Sequence, residues 1–155
     1  TYDDLDGANG TLKIGVSSAS KPFVYIKDGK YAGFEVELMI GFCREYGYRL
    51  EFEDTAFAAI MSGVSSGRYD IGMSGITITE ERRESVDFSA VNHTEDLVLV
   101  IHKQSDVKTF EDYKNANVGI TTGTYAATII HDVFPDATVK EFASIPDMML
   151  ALTQQ

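Results

Sequence analysis

The sequence predicts an α/β protein of two successive lobes, each built on an open, mostly parallel sheet, with the second lobe incomplete. Three observations carry this. Apolar residues alternate over short runs such as TLKIGV and RLEFED, and shift to spacings of three and four in the runs between them. The first half reads strand, helix, strand, helix, strand, an order that favours parallel strands in one sheet. After a polar stretch near residues 103–108 the pattern restarts, then stops after two strands and two helices.

The elements follow in order. Leu12, Ile14 and Val16 fall on one face of a strand that ends in the serine-rich SSASKPF loop. KDGK (27–30) is a turn between two short extended pieces, with Asp28-Gly29 as the hairpin signal. From Glu35 to Tyr46 the residues Val36, Met39, Ile40 and Cys43 form a helix face. Glu35 and Glu37 suit that helix's N-terminal dipole, and Gly47 suits its stop. RLEFED (49–54) is a strand, a helix runs from about Phe57 to Ser66, and YDIGMSGI (69–76) is the next strand. EDLVLVIHK (95–103) reads as a long apolar strand at the end of the first lobe.

In the second lobe NVGIT (117–121) is a strand, TGT a turn, and YAATIIHDVF (125–134) a helix. ATVKEF (137–142) is a strand and IPDMMLALTQQ (145–155) a helix. The expected division is a polar linker over residues 1–10, lobe 1 over 11–103 and a partial lobe 2 over 104–155. Two strands do not make a stable sheet. Ile129, Met148, Met149 and Leu150 are therefore expected to expose apolar surface and to promote self-association through this lobe.

Composition narrows the function. The formal net charge of −11 disfavours nucleic acid and anionic membrane surfaces as partners. No apolar run approaches the ~20 residues of a membrane span. The acidic, polar N-terminus TYDDLDGANG is no secretion signal, so any signal or lipid anchor is expected to have been removed or to lie outside these residues. Cys43 stands alone, which excludes an intrachain disulfide.

Catalytic and metal readings find little footing. His93, His102 and His131 have no second His or Cys at ligand spacing, so no metal or cofactor is expected. There is no GxxxxGK[ST] phosphate loop. Cys43 on an apolar helix face reads as packing rather than as a nucleophile.

Three loops follow strands in the first half: SSASKPF, DTAF and SGITIT. Ligands of open parallel sheets sit at the carboxyl ends of the strands, so these loops could form one mouth. Arg82 and Arg83 follow the third loop. They read either as solvated charge beside Glu80, Glu81 and Glu84, or as a guanidinium fork for a carboxylate, assisted by the Thr77 hydroxyl. Phe57 reads as core packing or as a ring lining that mouth. TTGTY (121–125) reads as a capping turn or as a helix N-terminus offering amides to an anion.

At this point the residues resemble a known family. LKIGVSSASKPF, GKYAGFEVEL, AFAAIMSGVSSGRYDIGMSGITITEERRESVDFS and NVGITTGTYAATI resemble the bacterial extracellular solute-binding proteins of the polar amino-acid type, family 3, which feed ABC importers. The resemblance covers roughly residues 11–155 in family order. It implies a periplasmic-binding-protein-like fold of two lobes, with an amino acid held in the cleft between them and no catalysis. It also implies an extracellular or periplasmic location, with a membrane tether left open, and a permease partner in the membrane.

Carried over by position, Arg82 grips the ligand α-carboxylate, and Thr77 adds its hydroxyl and amide. The Gly75 carbonyl accepts from the α-ammonium, and Phe57 lines the side-chain pocket. The Tyr125 amide meets the carboxylate from the second lobe. Ser74, Ser17 and Thr124 complete the expected set, and Arg83 stays on the surface. Two positions depart from the family pattern. Ser17 stands where many members have an acid, which weakens the case for a cationic ligand, and Ser20 stands where many have an aromatic ring. The family also continues past ALTQQ with a strand whose Asp pairs with the ligand ammonium, so the chain reads as a fragment lacking that charge. The same fold also serves receptor sensor domains and dehydratases of prephenate-like acids. The first is told apart by what the gene encodes downstream and the second by a general acid in the mouth.

Overall fold

The computed structural model describes residues 1–107 and 109–154. They divide into two compact units, Thr1–Phe88 and Ser89–Gln155.

The first unit is organised around strand β1, Thr11–Val16, which lies between β5, Arg49–Asp54, and β6, Ile71–Met73, in a parallel sheet. The central strand is the most buried of the three, as expected where both neighbours and both faces are covered. Side chains alternate across it. Ile14, Val16 and Met73 face a core completed by Val36, Ile40 and Cys43 of helix α1, Phe34–Tyr46. The glycines at 15 and 72 turn the opposite way and let helix α2, Phe57–Ser65, and the Tyr69 ring come close. A Cβ at Gly72 would sit 2.6 Å from Ile60 Cγ2. Helix α1 ends as its sequence predicts, with Gly47 left-handed at φ 69° and its amide donating to the Cys43 carbonyl.

A small antiparallel sheet fills the connection between β1 and α1. It comprises β2, Ala19–Ser20, β3, Val24–Lys27, and β4, Lys30–Ala32, with the expected turn at Asp28-Gly29.

Three expectations are corrected. Residues 1–10 pack on the first unit rather than running as a linker. Leu5 is 4% exposed in the core, the Tyr2 ring meets Phe52 edge-on at 5.3 Å, and the Asn9 amide donates to the Gly47 carbonyl at 2.7 Å. The acidic composition of the segment conceals two apolar side chains, which a 3-10 turn over Tyr2–Asp4 brings to one side.

The strand expected over 69–76 spans only Ile71–Met73, because Ser74 and Gly75 take positive φ values of 155° and 66° and turn the chain out of the sheet. The run 95–103 forms no strand. Among the described residues nothing pairs with it, and a ladder needs two backbones however apolar the sequence. The units accordingly divide after Phe88 and not near residue 103. Near the end of the first unit, α3 is one short turn, Glu80–Arg83.

The second unit pairs β7, Asn117–Thr121, with β8, Thr138–Phe142, in a parallel two-stranded sheet. Helices α4, Tyr125–Val133, and α5, Ile145–Thr153, pack on it. Its core is small: Ile120, Ile130 and Phe134, flanked by Val118, Ala127 and Val139. Met148 of α5 reaches Gly119, and Met148 and Ile129 are half-buried, while Met149 and Leu150 are exposed. Gln155, expected at the end of this helix, and Lys108 lie outside the described residues. Among the described residues no helix is long and apolar enough to cross a membrane.

Candidate functional site

The carboxyl ends of the three parallel strands lie side by side, since Val16 pairs with Asp54 on one side and with Met73 on the other. The loops that follow therefore begin at one edge, with Ser17, Thr55 and Ser74, and they are tied to one another. The Thr55 amide donates to the Val16 carbonyl at 2.8 Å. The Ser17 amide donates to Ser74 Oγ at 2.8 Å, and that hydroxyl lies 3.2 Å from the Ser17 carbonyl, to which it donates. The Ser18 amide donates to Asp54 Oδ1 at 3.0 Å, and the Ser18 hydroxyl bonds the other carboxylate oxygen.

Beyond Ser74 the chain is held from behind. The Gly75 amide donates to Glu35 Oε2 at 3.0 Å, and a Cβ at Gly75 would sit 2.8 Å from the Phe23 ring. Only glycine suits both that approach and the left-handed backbone.

Thr77 is exposed, and its carbonyl accepts from Arg82 Nη1 at 2.6 Å. Thr79 caps α3, its Oγ1 accepting the Arg82 amide at 3.2 Å. Arg82 is half-buried. Burial pushes its pKa down and the Glu81 carboxylate pulls the other way, yet a guanidinium keeps its charge under such shifts. Arg83 behaves differently. It is exposed, lies 3.8 Å from Glu80 Oε1 and sits 5.8 Å from the Phe88 ring centroid. Phe57 opens α2, three positions after Asp54, and is half-buried.

The second unit carries the other two expected residues. Thr124 is the N-cap residue of α4, and its hydroxyl donates to the Thr121 carbonyl at 2.7 Å. Tyr125 is exposed at the first helical position, where amides point outward without intrahelical partners. Thr121 is 7% exposed, and its hydroxyl oxygen has no hydrogen-bond partner among the described residues.

Of the eight expected residues, the structure thus binds Ser17 to Ser74 and Thr77 to Arg82, and it sets Gly75 and Phe57 on the same sheet edge. Thr124 and Tyr125 belong to the second unit. Glu35, Asp54 and Thr121 were not singled out from sequence. Asp54 carried a signal, as the last residue of a strand whose neighbour ends in two serines. Glu35 carried none, since it read as a partner of the helix dipole. Among the described residues no group of three or more His, Cys, Asp or Glu is placed to hold a metal ion.

The family model of the bacterial extracellular solute-binding proteins, family 3, matches residues 12–146. The chain belongs to this family.

Among curated relatives, arginine-binding extracellular protein ArtP of Bacillus subtilis (strain 168) is 35% identical over 112 residues, which are 72% of this chain and 44% of ArtP. The ABC transporter arginine-binding protein 1 of Escherichia coli (strain K12) is 30% identical over 149 residues, 94% of this chain and 61% of that protein. The chain spans about half the length of the curated relatives it matches.

Among solved structures, the ancestral amino acid-binding protein AncCDT-1, a precursor of cyclohexadienyl dehydratase, superposes with a TM-score of 0.87 at 30% identity. That match covers 97% of this chain and 68% of the ancestral one. The fold is therefore the periplasmic-binding-protein-like α/β fold with mostly parallel sheets. The receptor-domain and dehydratase alternatives are not favoured by these matches.

Proposed function

We propose that this family 3 chain captures a small polar amino acid for delivery to an ABC importer permease, without covalent chemistry. The observation that carries the reading is Arg82. Its guanidinium is half-buried and tied to the Thr77 carbonyl, on the loop that follows the carboxyl end of β6. A guanidinium in that setting matches a carboxylate with two charge-assisted hydrogen bonds. Thr77 supplies a hydroxyl and an amide beside it, the Gly75 carbonyl takes the ammonium, and Ser17, Ser74 and Phe57 shape the surroundings. On the second unit the Tyr125 amide, at the N-terminus of α4 beside Thr124, suits an anion in the same way. The chain works outside the cytoplasm, beside the membrane that holds the permease.

Isothermal titration against the twenty amino acids tests this. Binding of at least one polar amino acid is expected, with Arg82→Ala weakening it by about 100-fold, the scale of a lost charge-assisted pair. No heat with any amino acid, or equal affinity in the variant, overturns the reading.

The second unit also supports self-association. Leu97 to Ile101 are 43–76% exposed in succession. A second copy can add to this run as an antiparallel strand centred on Leu99. That register sets Glu95 against Lys103 and Asp96 against His102 while Leu97 faces Ile101.

A further inference from the structure

We infer that Glu35 is a positioning residue for the ligand-binding loop 74–77, acting through the Gly75 amide. The inference rests on the proposed amino-acid-binding role. Glu35 itself touches no ligand in it.

Glu35 is 7% exposed, an unusual place for a carboxylate unless its oxygens are bonded. It lies in the first turn of α1, where the helix dipole favours a negative charge, and its Oε2 accepts the Gly75 amide from 40 positions away in sequence. That amide lies beyond the end of β6, outside the sheet ladder. The same knot includes Phe23. Its carbonyl accepts the Glu35 amide at 3.2 Å, and its ring covers Gly75 so closely that a Cβ there would lie at 2.8 Å. Gly33, just before α1, brings the backbones together: a Cβ there would sit 2.1 Å from the Phe23 carbonyl oxygen.

The consequence is mechanical and electrostatic. Ser74 and Gly75 have φ values of 155° and 66°, and each is pinned from a different element, Ser74 by Ser17 and Gly75 by Glu35. With the Ser74 side chain and the Ser74–Gly75 peptide held, the backbone that leads to the Gly75 carbonyl starts from a fixed position before a ligand arrives. A preset acceptor loses less entropy on binding than a mobile one. The carboxylate also polarises the peptide between Ser74 and Gly75 and places a buried negative charge behind a loop assigned to an ammonium group.

The test compares Glu35→Gln, which keeps an acceptor oxygen, with Glu35→Met, which removes it at similar volume. Hydrogen exchange of the Gly75 amide is read by NMR in ligand-free protein, and Kd by titration. In Glu35→Met, exchange at Gly75 is expected to quicken and Kd to weaken, each by about tenfold or more, with Glu35→Gln recovering most of both losses. A helix-dipole role alone would leave the Gly75 amide unmoved. Wild-type exchange and affinity in Glu35→Met overturn the inference. Should Glu35→Met fail to fold, Glu35→Asp, one methylene too short to reach, decides: loss of Gly75 protection supports the inference and retained protection overturns it. If the wild-type protein binds no amino acid, the proposed function falls, while the exchange measurement still decides the role of Glu35.

Discussion

Ser17 and Ser74 satisfy each other across the ends of β1 and β6: the amide of one donates to the hydroxyl of the other at 2.8 Å, and that hydroxyl lies 3.2 Å from the first residue's carbonyl. Both residues are buried, so neither backbone group of Ser17 has water as a ready substitute. Ser74→Ala therefore leaves a buried amide without its acceptor. The expected cost is about 1–3 kcal/mol of stability. Urea unfolding should show a lower midpoint with an unchanged slope, because the surface exposed on unfolding does not change.

The Tyr69 ring is clamped between two glycines. A Cβ at Gly15 or at Gly63 would each lie 2.3 Å from a ring carbon, closer than any real contact. Gly63→Ala is expected to destabilise by about 1–3 kcal/mol through overpacking. Paired with Tyr69→Val it should cost much less than alone. A double-mutant cycle in urea reads this coupling directly.

Alkaline pH should weaken the fold. Burial pushes the Cys43 thiol above its ordinary pKa, and burial, with smaller contributions from the charges of Asp54 and Tyr2, does the same to the Tyr31 phenol. The folded state then holds protons that the unfolded chain releases first. Stability is accordingly unaffected by these groups below the unfolded values of about 8.5 and 10, and falls as pH rises through and beyond them. Thermal unfolding from pH 7 upward checks the sign. Over the same range the folded protein's Cys43 should resist an aromatic disulfide reagent, since the reactive species is the thiolate.

The apolar run Leu97–Ile101 should drive concentration-dependent association. Sedimentation velocity is expected to show a dimer that Leu99→Lys dissolves, since a charge facing its own copy opposes pairing. A monomer at every concentration would instead mean that this run stays unpaired or is covered within one polypeptide.

The legible part of the molecule was local. Leu12, Ile14 and Val16 marked β1, Val36, Ile40 and Cys43 marked α1, and Gly47 marked its stop, because a side chain's spacing reports which face it shares. Arg82 and Thr77, both singled out from the sequence, lie five positions apart and are joined by a local bond. The misread segments were those whose state depends on something distant. Leu5 needs the core of the first unit to become buried, and residues 95–103 need a partner backbone to become a strand.

The sequence by itself determined the α/β class, the family and most of the succession of elements. Periodicity, turn residues and a motif are all written within a few residues of one another. Only the tertiary structure decided that Glu35 turns inward to Gly75, that Ser17 and Ser74 share a hydroxyl, and that Tyr69 fills the gap between two glycines. Each is a contact between positions separated along the chain. A buried polar group takes whichever partner the folded packing brings within reach, and no local pattern encodes that choice.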